Sequence, residues 1–301
     1  MKKSILLPIL FCICMIILST LGCVKANPEV NKLFIMDNSQ NRVLEIPVKY
    51  GIPEEIRWSP DSKYFAFVEK KEDWRGNTKL EEIKLFDAAT LNEKKIPDDV
   101  NDKEYTYRSL YWIDNQNVLI AESDDKGKRY RTYDIIKESI TVISEQEADS
   151  YLGEISVKED ADYNRYILKE EDRRLLSEKV VQDYSRAIRS NDKSRFLYSN
   201  RMYKTYLYDM KSTINKYILD GFQIDWSLKE TKITYKLHKT LKLEELKVDE
   251  DYSGKEFITY LFDIEKNKAL KIADFYADCY FSPNDEFIIF YESDYDGSAE
   301  L

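Results

Sequence analysis

The sequence predicts an all-β fold: a closed array of six four-stranded units, or of five units with an insertion, in which strands near the N-terminus complete the last unit. Three observations carry this. Five segments carry a short alternating apolar run ending in Asp, each with isoleucine nine residues later. A second pattern, an aromatic residue followed by Ser-Pro-Asp or a relative of it and then an apolar run, precedes most of these segments. The two ends of the chain supply complementary halves of one unit.

Along the chain, Lys2 and Lys3 precede an apolar stretch from Ile5 to Leu21, and Thr20-Leu21-Gly22-Cys23 closes it. This reads as a signal segment over residues 1–22, with residues 23–30 as a tether. The stretch is at the short limit for spanning a bilayer, and Pro8 interrupts it, so an uncleaved anchor helix is the weaker reading. Cys12 and Cys14 leave with the segment, so Cys23 and Cys279 remain.

Residues 31–301 are expected to form one domain. The alternating runs are Leu33 to Asp37, Ile83 to Asp87, Tyr130 to Asp134, Thr205 to Asp209 and Thr259 to Asp263, paired with Ile46, Ile96, Ile143, Ile218 and Ile272. Period-two alternation predicts strands, and Asp followed by Asn, Ser, Thr or Lys predicts a tight turn into a second strand. The other pattern is Trp58-Ser59-Pro60-Asp61, with Arg189-Ser190-Asn191-Asp192, Trp226-Ser227 and Phe281-Ser282-Pro283-Asn284 as copies and Trp112 heading a weaker one. Proline pre-sets a turn dihedral and Ser or Asp bonds its own backbone, so each copy is again strand, turn, strand. Asp134 and Asp209 are 75 residues apart, against 47 to 54 for the other neighbouring pairs, which predicts a degenerate sixth unit over 150–183. Residues 31–47 and 277–301 each lack the hairpin that the other has. Joining them would hide strand edges that an open array would expose.

These repeats resemble the TolB-like, or PD40, class of WD40-like β-propeller repeats, with Asp294-Tyr295-Asp296-Gly297 similar to that family's mid-blade loop. The resemblance covers nearly all of residues 31–301 and implies a β-propeller, in which the repeat count gives six blades, or five if 150–183 is an insertion. Likewise, Leu21-Gly22-Cys23 resembles a bacterial lipobox. That implies lipid on the Cys23 thiol, cleavage before it, and an extracytoplasmic protein anchored in a membrane. With Cys23 bearing lipid, only Cys279 is left as a free thiol, so no internal disulfide is expected.

The chain of 301 residues has a formal charge of −10 and eight glycines, none spaced as a dinucleotide fingerprint, phosphate loop or nucleophile elbow. Such acidity argues against nucleic acid as partner. His238 is the sole histidine, which excludes a zinc site with two histidines, and it reads as surface decoration. No cofactor or metal is expected: Glu292, Asp294 and Asp296 give only half of a calcium-loop spacing. The strand-ending aspartates read as turn residues, and Trp58, Trp112 and Trp226, which share one repeat position, as packing between units.

Propellers bind at loops around one mouth of the channel, where links between blades and mid-blade loops meet. Here those segments hold Trp74, Arg75, Tyr105, Tyr107, Arg108, Tyr276, Asp278, Tyr295 and Asp296, a set suited to a protein, peptide or glycan of the cell envelope. The expected function is a non-catalytic binding or scaffold module. The alternative is a glycosidase or lyase using carboxylates such as Asp278 and Asp296 at the mouth.

Overall fold

A computed structural model describes residues 32–39, 41–49, 53–72, 78–97, 107–124, 127–163, 174, 184–200, 203–240 and 256–292. All of these lie in the unit Asn31–Leu301. The described strands form five antiparallel sheets. Strands β1 (Leu33–Asp37) and β2 (Arg42–Ile46) belong to the sheet completed by the last two strands of the chain. The second sheet is β3 (Pro53–Trp58), β4 (Tyr64–Glu72) and β5 (Thr78–Asp87). The third is β6 (Tyr107–Trp112), β7 (Asn117–Asp124), β8 (Gly127–Asp134) and β9 (Ser139–Ile143), followed by helix α1 (Glu145–Tyr163). Then come β10 (Tyr184–Arg189), β11 (Arg195–Asn200), β12 (Lys204–Asp209) and β13 (Ile214–Asp220), and next β14 (Phe222–Trp226), β15 (Lys232–His238), β16 (Phe257–Asp263) and β17 (Lys268–Ala273). Finally β18 (Ala277–Phe281) and β19 (Phe287–Glu292) pair in the order β18-β19-β1-β2.

Both sequence patterns locate real turns. The aspartate that ends each alternating run accepts backbone N–H groups two or three residues on: Asp37 from Ser39, Asp87 from Ala89 and Thr90, Asp134 from Ile136 and Lys137, Asp209 from Lys211 and Ser212, and Asp263 from Lys266. In two of the hairpins the isoleucine nine residues later lies opposite the start of the run, Ile46 opposite Leu33 and Ile143 opposite Tyr130, whereas Ile218 and Ile272 fall at register shifts of their strand pairs. The serine of the second pattern closes the other turn, its Oγ accepting the N–H five residues ahead at Tyr64, Arg195, Lys232 and Phe287.

Two expectations need correction. The segment ending at Ile96 makes only an isolated bridge between Phe86 and Glu93, so the second sheet has three strands among the described residues. Residues 145–163, which overlap the start of the sixth unit expected over 150–183, are helical. The nine-residue offset between Glu171 and Val180 lies outside the described residues. The helix has a physical cause. Ser144 Oγ accepts the N–H of Glu147, a side-chain cap on the first turn, and Glu145 and Glu147 suit the positive helix end. The stretch also lacks the alternation that a strand would need.

Packing between sheets follows a single series. Apolar residues of β10–β13 (Ile188, Leu197) pack on β14–β17 (Ile224, Trp226, Ile233), and β14–β17 (Leu261, Ile272) pack on the terminal sheet (Met36, Ile288, Phe290). That sheet packs through Leu33, Ile35 and Ile289 on Ile56, Phe65, Phe67 and Phe86, and the second sheet through Ala66, Val68 and Leu85 on Leu110, Trp112 and Ile120. Among the described residues, the far face of the third sheet, with Leu119 and Tyr130, receives Ala148 of α1, flanked by Tyr151 and Leu152. The repeated tryptophans tie these seams: Trp58 Nε1 donates to the Tyr280 carbonyl and Trp112 Nε1 to the Arg57 carbonyl, both at 3.2 Å.

A further device ties neighbouring turns. Ser62, Lys193, Glu230 and Asp285 share one repeat position and all hold a left-handed backbone, with φ of 64°, 60°, 61° and 59°. Three of them turn this conformation into a clasp on the preceding sheet. Glu230 accepts the Asn191 N–H at 2.5 Å and the Arg195 guanidinium at 2.6 Å. Asp285 accepts the Ser227 and Thr231 hydroxyls at 2.5 and 2.9 Å, and Ser62 Oγ accepts the Asn284 N–H at 3.0 Å. Lys193 is exposed. Opposite effects are therefore expected from one substitution type. Lys193→Gly should stabilise by about 0.5–1 kcal/mol by relieving the left-handed strain, while Glu230→Gly should cost about 1.5–3 kcal/mol through its lost charge-assisted bonds. Urea unfolding of both variants checks this, and equal shifts would remove the clasp from the account.

The turn aspartates also set the response to acid. Hydrogen bonds from Ser194, through its hydroxyl and its N–H, and from the Ser190 hydroxyl hold Asp192 far below the usual carboxylate range. The Ser212 N–H and hydroxyl hold Asp209 below that range, and the Lys137 ammonium and N–H hold Asp134 there. A carboxylate depressed in the folded state contributes stability that is complete above its unfolded pKa, about 3.9, and is lost as pH falls through the folded value. Asp209→Asn should therefore melt below wild type at pH 7, with the gap closing as pH falls below about 4. A gap that does not change with pH would contradict this.

Candidate functional site

The first strands of the sheets begin beside the ends of the second strands, and buried charge collects there. In the third sheet Arg108 of β6 lies directly across from Glu122 of β7. Arg108 Nε donates to Glu122 at 3.2 Å, Arg129 Nε at 3.0 Å, and Arg131 at 2.7 and 2.9 Å. The side chains of Arg108 and Glu122 are wholly buried and that of Arg131 nearly so. One carboxylate thus binds three strands of a sheet together. Glu69, at the equivalent place on β4, is also buried and accepts the backbone N–H of Lys49.

The fifth sheet in chain order uses a lysine. Lys236 of β15 is buried, and its ammonium donates to the Gln223 carbonyl at 3.1 Å, lies 3.5 Å from Asp225, and stands 5.1 Å from the centre of the Tyr276 ring. Tyr276 is buried and meets Phe257 edge-on. Burial pushes the neighbouring Cys279 thiol up to about 12, so it stays a neutral thiol at physiological pH.

On β18, Asp278 stands directly across from Tyr291 of β19. Burial, together with the Tyr280 hydroxyl and the Asp278 charge, drives the Tyr291 phenol well above its ordinary range. The two phenol oxygens are 3.4 Å apart, with the rings stacked at 6.1 Å. Asp278 and both tyrosines are half-buried.

Of the residues expected to line a ligand site, Arg108 and Tyr276 are buried, and their partners are Glu122 and the Lys236–Phe257 pair. Asp278 is half-buried, and Tyr107 is described only as a β6 position. Cys23, Trp74, Arg75, Tyr105, Tyr295 and Asp296 lie outside the described residues. His238 is also corrected: it is buried, with its ring edge-on to Phe257 at 5.1 Å. Sequence reasoning missed Glu122, Arg131, Asp225 and Lys236. The signal was present, since Glu122 ends the apolar run Val118 to Ala121 and Lys236 interrupts Ile233 to Leu237. Among the described residues no group of three or more His, Cys, Asp or Glu is placed to hold a metal, and no helix is long and apolar enough to cross a membrane.

No protein-family model and no curated protein matches the chain. It is similar in structure to the TolB-designated protein of Agrobacterium tumefaciens, at 8% identity and a TM-score of 0.36, over 89% of this chain and 99% of that one. It is also similar to TolB of Acinetobacter baumannii, at 12% identity and a TM-score of 0.27, over 92% of this chain and 67% of that one. A third likeness is to the β-propeller domain of the Trilobed protease of Pyrococcus furiosus, at 11% identity and a TM-score of 0.24, over 78% and 61% of the two chains.

Proposed function

We propose that the chain is a lipid-anchored, extracytoplasmic β-propeller that acts as a binding or scaffold module for a protein, peptide or glycan of the cell envelope. In this reading residues 1–22 are removed, Cys23 carries the lipid, and the terminal sheet β18-β19-β1-β2 closes a ring of five blades in which α1 fills part of a sixth seat. The observation that carries the binding reading is the use of charge at the start of the first strands. Arg108, Glu122 and Lys236 are buried and bonded to other described groups, whereas Asp278, Tyr280 and Tyr291 are half-buried residues. A half-buried carboxylate framed by phenols suits recognition, since tyrosine offers a flat apolar face and a polar edge.

The anchor is tested by labelling cells with a fatty-acid analogue. Wild type should incorporate label and stay with membranes, because acyl chains contribute about 0.8 kcal/mol per buried CH₂, and Cys23→Ala should do neither. Label retained by Cys23→Ala would overturn the assignment. Cross-linking in intact envelopes tests the module: wild type should give a discrete adduct that a Trp74→Ala, Tyr295→Ala double variant loses. An identical adduct pattern from both would put binding elsewhere.

A further inference from the structure

The position of Asp278 in the repeat separates it from the charges that the fold itself consumes. Counted from the aromatic residue that heads each turn, Asp278 before Phe281 corresponds to Glu55 before Trp58. Glu55 is spent on the next sheet, where its carboxylate accepts the Ser109 hydroxyl at 3.1 Å and the Leu110 N–H at 3.3 Å. Asp278 instead faces Tyr291 across a strand pair of its own sheet, and no lysine or arginine among the described residues forms an ion pair with it. Asp225, the half-buried acid on β14, already faces Lys236 at 3.5 Å.

A half-buried carboxylate that faces a phenol and no cation has lone pairs to offer a donor from outside. Beside it the phenol oxygens of Tyr280 and Tyr291, 3.4 Å apart, add acceptors. A divalent cation fits poorly, because calcium takes about six to eight oxygens with several carboxylates and this place offers one carboxylate. A single N–H-bearing cation fits, since one charge and two or three acceptors match an ammonium or guanidinium.

Resting on the binding-module reading, we propose that Asp278, Tyr280 and Tyr291 form a subsite for one ammonium or guanidinium group of the ligand. The group would come from an amino terminus or a basic side chain. The test uses the full chain in detergent and ligand-detected NMR at constant ionic strength, with glycinamide standing for an amino terminus, n-butylammonium for lysine and n-propylguanidinium for arginine. At least one probe should bind saturably, and which one binds identifies the source. Asp278→Asn should weaken that binding at least tenfold, and Asp278→Glu should recover part of it. Asp274→Asn, which removes an exposed acid paired with Lys271, should leave it unchanged. Wild type alone supplies a second measurement: the binding should fall as sodium chloride rises, and the uncharged n-butanol should not compete. Absence of saturable binding by all three probes, or equal binding by wild type and folded Asp278→Asn, overturns the subsite. That failure is distinct from failure of the module reading, which is decided by the envelope adduct and the Trp74→Ala, Tyr295→Ala variant.

Discussion

Deleting residues 31–47 is expected to unfold the whole described domain, not to trim its end. Strand β1 lies between β19 and β2, with five residue pairs on each side, so its loss strips β19 of a full ladder as well as removing two strands. Leu33, Ile35, Met36 and Ile46 are buried and sit in the cores shared with both neighbouring sheets. At roughly 1.5–3 kcal/mol for each buried side chain, about 6–12 kcal/mol of apolar burial is forfeited, comparable to the entire stability of a typical domain. Circular dichroism and proteolysis of the truncated protein measure this. A truncated chain that melted within a few degrees of wild type would show that β1 and β2 are dispensable.

Glu122→Ala is expected to be the most damaging single substitution at the start of the first strands. The carboxylate receives bonds from Arg108, Arg129 and Arg131, and the first of these is wholly buried and the last nearly so. Removing one partner of a buried ion pair costs about 3–5 kcal/mol, mostly because the surviving charge stays buried. Glu122→Gln should cost less, since an amide oxygen still accepts one donor. A double-mutant cycle of Glu122→Ala with Arg108→Met measures the coupling directly. If the two losses simply add, the groups do not act as a unit.

Much of this architecture was legible because its signals are local and repeated. The aspartates at 37, 87, 134, 209 and 263 mark turns through bonds spanning two or three residues, and alternation marks the strands on either side. The helix at 145–163 was not legible in that way: once a repeat is established, a gap of the right length invites one more copy, whereas the helix follows from a serine cap and the loss of alternation. The site was less legible than the fold. Arg108 and Tyr276 were read as parts of the links between blades, but whether a polar side chain there meets a ligand or a partner depends on a residue from a neighbouring strand or sheet. For Arg108 that partner is Glu122, and for Tyr276 it is Lys236.

The pairing of the first strand with the last also sets an order of events. Asn38 Nδ2 donates at 2.8 Å to the carbonyl of Asp285, 247 residues later in the chain. At synthesis rates of about 5–20 residues per second, β1 and β2 wait on the order of ten seconds to a minute for the strand that completes their sheet. Throughout that interval the hairpin carries an unsatisfied edge and the apolar faces of Leu33 and Met36. It is the oldest part of the domain and the last to find its partner. A chain of this kind gains from whatever keeps its leading segment apart from other chains until its trailing strands arrive.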